Sequence, residues 1–248
     1  MKSTNVLILP IAMLLWMFIG FSCSRSKSDK PNTISTQKKT ESELKTVKNY
    51  KNGKLSSIVH FRDSIAEGEA RNFYSNGKLA SVFYYKNGKL DGKSTKYYPS
   101  GKVYRLRYYV DGKLQDTVKK YYESGKIMST QVYKNGMPST DLKEYSVTGQ
   151  LITHYPTLIF TLKNSANFYK RKLLEFQLSN SSEAVRYYWG PLTEGKYLDP
   201  VAAPIGQLGK KGQIPLQPED LGKTITVVAK YITPQQNVYL IESKYLYK

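Results

Sequence analysis

Residues 85–103, Y-K-N-G-K-L-D-G-K-S-T-K-Y-Y-P-S-G-K-V, hold two copies of one phrase: an aromatic residue, two turn-formers, a glycine, a lysine and an aliphatic residue. Outward from there it recurs as Y-K-N-G-K-L at Tyr50, Y-S-N-G-K-L at Tyr74, Y-V-D-G-K-L at Tyr109 and Y-E-S-G-K-I at Tyr122, with degenerate copies beyond. The turn glycines are Gly53, Gly77, Gly88, Gly101, Gly112, Gly125, Gly136 and Gly149. From Gly77 onward their spacing alternates between 11 and 13, so the sequence has a 24-residue period. Between Gly53 and Gly77 one turn is missing. The frame puts it at Ser64, because F-R-D-S-I-A-E-G from Phe61 aligns with Y-K-N-G-K-L-D-G from Tyr85.

The phrase reads as a type I turn closed by a glycine in a G1 bulge, with Pro99 presetting φ at the first corner. Such turns join antiparallel strands, and the segments of about 7 to 9 residues between them, rich in Tyr, Phe and Val, have strand length and composition. Each 24-residue unit is therefore two strands and two turns, and the units stack into a meander whose hairpins contact mainly their neighbours. A single layer leaves both faces partly wet. Tyrosine suits that situation, since its ring stacks across strands while its hydroxyl stays solvated. The pairs Tyr84–Tyr85, Tyr97–Tyr98, Tyr108–Tyr109 and Tyr121–Tyr122 put one ring on either face.

The repeated Y-x-N-G-K-L-x-G and Y-Y-x-S-G-K-V phrases resemble the bacterial MORN-repeat variant (membrane occupation and recognition nexus), whose members are often described as YwqK-like or antitoxin-like. The resemblance covers roughly Tyr50 to Leu151. It implies a repeat sheet that acts as a scaffold or binding surface, and an antitoxin or immunity role as one version of that. It brings no catalytic residues.

The chain opens with Met1 and Lys2, runs through apolar residues from Val6 to Phe21 and reaches its one cysteine at Cys23. This reads as a signal peptide over 1–22 with lipidation of Cys23, an uncleaved anchor being the other reading. A single cysteine rules out an intramolecular disulfide and any multi-thiolate metal site. Residues 23–44 are polar and basic and read as a disordered tether behind the lipid. The expected setting is the bacterial cell envelope, on the periplasm-facing side of the outer membrane.

The precursor carries a net charge of +19, with 38 basic and 19 acidic residues. Lys54, Lys78, Lys89, Lys102, Lys113 and Lys126 each follow a turn glycine and line the edges where the turns project. They read either as solubilising residues that discourage edge-to-edge aggregation or as a basic rim for an anionic membrane, glycan or acidic partner. Nucleic acid is not expected for an exported chain. The tyrosine ladders read as the sheet's own stacking before they read as a platform for sugars or bases. His60 and His154, the only histidines, stand at ring or aliphatic positions of the repeat frame, and no acid pair or nucleophile accompanies them. No catalytic residue, cofactor or metal is expected, and the partner is expected to be a protein.

After Tyr155-Pro156 the regularity ends. The repeat domain is thus 45–156, and 157–248 is read as an Ig-like β-sandwich with strands at 158–162, 172–178, 184–189, 196–198, 213–216, 223–231 and 238–246. Trp189 is expected in its core, and the P-E-D-L-G-K-T segment from Pro218 at a corner leading into a late strand. The whole is all-β, an antiparallel repeat meander of β-hairpins followed by this sandwich.

Overall fold

The computed structural model describes residues 42–164 and 171–248. The signal segment, Cys23 and the tether as far as residue 41 lie outside the described residues.

The repeats form one antiparallel sheet. Its strands are β1 (Lys45–Lys51), β2 (Lys54–Arg62), β3 (Ile65–Ala66), β4 (Gly68–Phe73), β5 (Leu79–Lys86), β6 (Lys89–Leu90) and β7 (Gly92–Tyr97). They continue with β8 (Val103–Val110), β9 (Lys113–Tyr121), β10 (Ile127–Lys134), β11 (Met137–Pro138), β12 (Lys143–Tyr145) and β13 (Leu151–Ile152). The pairing order β1-β2-β4-β5-β7-β8-β9-β10-β12-β13 follows the sequence throughout, as a meander requires. The short strands β3, β6 and β11 are the first halves of strands that bend and then resume. The bends fall at Gly68 (φ +80°) and Gly92 (φ +103°), and one period further at Asp116 (φ +61°) inside β9.

Two turn types alternate, in place of the single type expected. At Gly77, Gly101, Gly125 and Gly149 only the glycine has positive φ. Each donates its N–H to the carbonyl three residues back, at 2.8–2.9 Å to Tyr74, Tyr98, Tyr122 and Ser146, which is the expected type I turn with a G1 bulge. At Asn87–Gly88, Asp111–Gly112 and Asn135–Gly136 both residues have positive φ, and the flanking residues pair directly across a two-residue loop. These are type I′ turns. They need two consecutive left-handed residues, which Asn or Asp followed by Gly supplies, whereas Ser100, Ser124 and Thr148 stand before the glycine in the other set and Asn76 there keeps negative φ. Asn52–Gly53 also closes as I′, although its frame position belongs with the G1 set. The turn read at Ser64 is present: Asp63 (φ +48°) and Ser64 (φ +67°) close β2 onto β3.

After the meander come β14 (Leu158–Asn164), β15 (Lys172–Leu178), β16 (Val185–Trp189), β17 (Gln207–Leu208), β18 (Lys211–Leu216), β19 (Thr224–Ile232) and β20 (Val238–Leu246). They make two antiparallel sheets, β14-β15-β18-β17 and β16-β19-β20. The sheets share one core, in which Leu174, Phe176, Leu178 and Leu216 of the first meet Tyr187, Val227 and Ala229 of the second, each 1% exposed or less. Phe176 stands edge-on to Tyr187 with centroids 4.9 Å apart. A Cβ on Gly212 would lie 2.1 Å from the Phe176 ring, so glycine there is a packing requirement. Pro218–Asp220 form a short 3-10 turn between β18 and β19, at the expected corner.

Two expectations in this region fail. Residues 196–198 make no strand; Tyr197 makes only isolated bridges, to Ser139 and Thr193. Trp189 is 44% exposed, because β16 runs past the core at that end and Val185 and Tyr187 fill its inward positions.

Candidate binding surface

The repeat sheet is held along both rims by hydrogen bonds that recur once per unit. On the G1 rim the hydroxyls of Tyr74, Tyr98 and Tyr122 donate to the carbonyls of Tyr97, Tyr121 and Tyr145, at 2.5, 2.7 and 2.6 Å. Burial pushes the Tyr98 and Tyr122 hydroxyl pKa values up. Lys54, Lys78 and Lys126 reach the carbonyls of Ser75, Ser100 and Thr148 in the next turn, at 3.0, 2.9 and 3.2 Å. On the I′ rim the N–H groups of Gly88, Gly112 and Gly136 donate to the carbonyls of Ala66, Leu90 and Leu114. Glu67, Asp91 and Gln115 accept from the N–H groups of Asn87, Asp111 and Asn135. Lys89 pairs with Asp111 at 2.7 Å.

The six rim lysines therefore divide between two edges. Lys54, Lys78, Lys102 and Lys126 share one edge, Lys89 and Lys113 the other, and four of the six tie one turn to another. The turn glycines likewise shape the rims and present no ligand-facing cradle of their own.

One face carries a row of polar side chains that runs straight across the strands. Directly paired residues share a face, and the successive partners are Asn49, Ser57, Asn72, Ser81, Lys96, Arg105, Lys120, Ser129 and Glu144. Asn49 donates to Ser57 and Asn72 to Ser81. At the far end of the row the turn between β19 and β20 docks onto it. Glu144, 2% exposed, accepts from Thr233 Oγ1 (2.6 Å) and Asn237 Nδ2 (2.5 Å). Lys120, 4% exposed, donates to the carbonyls of Gln235 and Gln236, and Gln131 donates to the carbonyl of Val238. Beside this joint the N–H of Thr140 donates to the carbonyl of Lys196. Residues 193–197 are thus a docking segment, where a strand was expected at 196–198.

From Lys120 in the joint outward the row carries a cluster of cations. Lys96, Arg105 and Lys120 are successive cross-strand neighbours, and Arg107 lies two residues along β8 from Arg105. Among the described residues none of the four forms a salt bridge. Burial lowers the Arg105 pKa, with Arg107 adding to the effect. Burial, then Arg105 and Arg107, brings Lys120 to about 8 against a partial offset from Glu144.

The opposite end of the sheet is an open edge. Among the described residues β1 pairs only with β2, and all seven of its residues are exposed. A cleft of about 480 Å³ beside it is lined by Ser42, Glu43, Lys45, Val47, Phe61, Asp63 and Ser64. His60 faces Thr46 across the β1–β2 pair at 2.9 Å, and no group of His, Cys, Asp or Glu suited to a metal occurs among the described residues.

The polar row escapes a reading of the sequence by its turns, although its signal is the period itself. Asn72, Lys96, Lys120 and Glu144 stand one period apart, as do Ser57, Ser81, Arg105 and Ser129.

Comparison with curated proteins returns no match. The MORN repeat variant matches residues 66–87, 90–111 and 117–135, three stretches that each span most of one structural unit, and repeats of this kind are often protein- or membrane-binding modules and generally non-catalytic. About a quarter of the chain is thus similar to that family, and it holds the central part of the rims and of the polar row.

Proposed function

We propose that this chain is a non-enzymatic cell-envelope lipoprotein, anchored through Cys23 on the periplasm-facing side of the outer membrane, whose repeat sheet binds a protein partner. The observation that carries the reading is the exposed first edge of the sheet. The C-terminal two-sheet unit docks on the face of β9, β10 and β12, while β1 at the other end offers a fully exposed edge beside a cleft. An open edge accepts a strand from a partner through main-chain hydrogen bonds, with side-chain pockets adding specificity. An antitoxin or immunity role is one version of such binding and rests on the family resemblance. The C-terminal unit is read as Ig-like, because its sheets follow the A-B-E-D and C-F-G order of a constant-type domain. In this reading it braces the face of β9, β10 and β12. Engagement of Lys54, Lys78, Lys126 and Lys89 in bonds between turns speaks for protein binding over anchoring of membrane or glycan by the rims.

A photo-crosslinking residue at Val47, compared with one at the exposed Val147 on the far rim, tests the edge. One discrete adduct from Val47 in intact cells, absent from Val147, is expected; equal adducts from both would overturn the assignment. Labelled palmitate should enter the wild type and not Cys23→Ser.

A further inference from the structure

The 24-residue frame states what each strand position needs, and β8 departs from it on one face. The residues in frame with Tyr104 are Ser56, Ala80 and Met128; with Arg105, Ser57, Ser81 and Ser129; with Arg107, Val59, Phe83 and Gln131. Three other strands therefore hold the same fold with small, apolar or uncharged residues. The substitutions in β8 carry an electrostatic cost, since like charges directly opposite one another destabilise a sheet. Arg105 lies between Lys96 and Lys120 in the row. Arg107 Nη1 donates to the Tyr109 hydroxyl at 3.2 Å, while its Nε is buried and meets no acceptor among the described residues. Lys96 and Arg105 stand over the Tyr104 ring at 5.7 and 5.8 Å. Tyr104 in turn lies edge-on to Tyr98, with centroids 5.1 Å apart.

We propose that Lys96, Arg105 and Arg107, beside the ring of Tyr104 and with the buried Lys120 adding its charge from behind, form a binding site for a phosphate group carrying two or more negative charges. Two guanidinium groups provide planar, forked donors that match a tetrahedral oxyanion, the Lys96 ammonium adds a point charge, and Lys120 adds to the local positive field. Lys120 is held in place by the carbonyls of Gln235 and Gln236, so the C-terminal unit positions one of the four cations. The site is on the sheet face and shares no residue with the turn rims or with the β1 edge. A free phosphate monoester and a lipid headgroup that ends in a phosphomonoester present the same chemistry to it.

The test uses full-length chain purified in neutral detergent, with inorganic pyrophosphate as the soluble probe and phosphatidic acid vesicles as the lipid probe. At a hundredfold excess over Kd, pyrophosphate should raise the melting temperature by about 5 °C or more. The double variant Arg105→Ser with Arg107→Phe restores the residues that the frame holds at Ser81 and Phe83. It should melt at or above the wild-type temperature without ligand and show no response to either probe. Arg107→Gln alone should lose at least half of the response. The pair Lys93→Gln with Lys119→Gln, on the opposite face, removes the same charge and should respond like wild type. Response to pyrophosphate alone identifies a soluble ligand, and response to vesicles alone a headgroup; both sustain the site. Failure of wild type to respond to either probe, or an equal response from the frame-restoring variant, overturns it.

Discussion

The repeat sheet and the C-terminal unit are both antiparallel β structure, yet they are held together differently. In the C-terminal unit thirteen buried side chains form one continuous cluster between two sheets. In the repeats Ala70, Val118 and Leu142 are the apolar residues that reach full burial, and most strand positions are half-exposed. The sheet substitutes recurrence for a core. Each unit repeats the same tyrosine hydroxyl, lysine and turn-amide bonds to the next, and each such bond adds about 1 kcal/mol at most when it is partly solvated. A core tolerates little change in shape, whereas a recurring contact tolerates changes in number so long as the frame is kept.

The largest expected effect follows from that frame. Deleting residues 85–108 removes one whole unit and joins Tyr84 to Tyr109 with every later side chain on its own face. Deleting one residue fewer over the same stretch exchanges the faces of everything that follows. In the second variant Lys120, Ser129 and Glu144 would turn away from the β19–β20 turn that they now hold. The whole-unit deletion should stay soluble and strand-rich with a lower melting temperature, and the out-of-frame deletion should aggregate or lose cooperative melting. Indistinguishable melting curves would mean that recurrence does not govern the sheet.

In the C-terminal unit a single side chain should matter nearly as much. Phe176 touches Phe160 and Tyr187 and lies over Gly212. Phe176→Ala is expected to cost about 3–5 kcal/mol. Hydrogen exchange would show faster amides across β15, β18 and β19 while β2 to β5 keep their protection. Uniform acceleration across both regions would show that they unfold as one.

The joint between the regions should rank next. Glu144→Ala removes the acceptor for Thr233 and Asn237, which are 1% and 7% exposed, and the loss is expected at about 2–3 kcal/mol. Its signature is exposure of the amides of residues 233–237 before either region melts. A purely local loss within β12 would contradict the joint.

An acid-sensitive contribution belongs to the C-terminal unit. Glu175 lies between Lys211 (2.7 Å) and Lys163 (2.9 Å), and the Lys211 hydrogen bond, then that of Lys163, holds its pKa down at about 2. A depressed carboxylate pKa means that the stabilisation is full above the ordinary value of 4.5 and is lost as pH falls toward 2. Both lysines are partly exposed, so solvent screening reduces the contribution to about 1–2 kcal/mol. Glu175→Gln should lower stability at pH 7 by that amount and flatten the loss between pH 4.5 and 2; an unchanged acid profile would place the acid sensitivity elsewhere.

The meander, its period and even the turn without a glycine are legible in the sequence because turn chemistry repeats there. The alternation of turn types is present only in part, in Asn or Asp before Gly88, Gly112 and Gly136 against Ser before Gly101 and Gly125, since Asn76 precedes Gly77 in a G1 turn. Reading glycines alone merges the two sets. Strands of the C-terminal unit are legible where apolar and polar residues alternate, as in β15 and β19. Trp189 is misplaced by such a reading because size and hydrophobicity do not reveal that a strand outruns its core. The joint is illegible from local pattern, since the partners of Lys120 and Glu144 lie 89 to 116 positions away in the chain.

Ser64 provides the finest test of the comparison, because it is a frame position that has lost its glycine while keeping the glycine's backbone. Its φ is +67°, against +77° at Gly88 and +79° at Gly112, and its side chain is exposed. A Cβ in that region costs about 1–2 kcal/mol per residue. Glycine would relieve the strain and return part of it through a more flexible unfolded chain. The net gain for Ser64→Gly is expected at about 0.5–1 kcal/mol, a rise of about 1–4 °C in melting temperature. The reverse change at Gly88 should destabilise by more than this, since a Cβ there keeps positive φ and lies 3.3 Å from Ile65 Cγ2. Because each hairpin contacts mainly its neighbours, the gain should appear as slower amide exchange in β2 to β4 and fade by β8. A lower melting temperature for Ser64→Gly would show that the serine makes a contribution of its own, and residue 64 would no longer be a degraded copy of the turn.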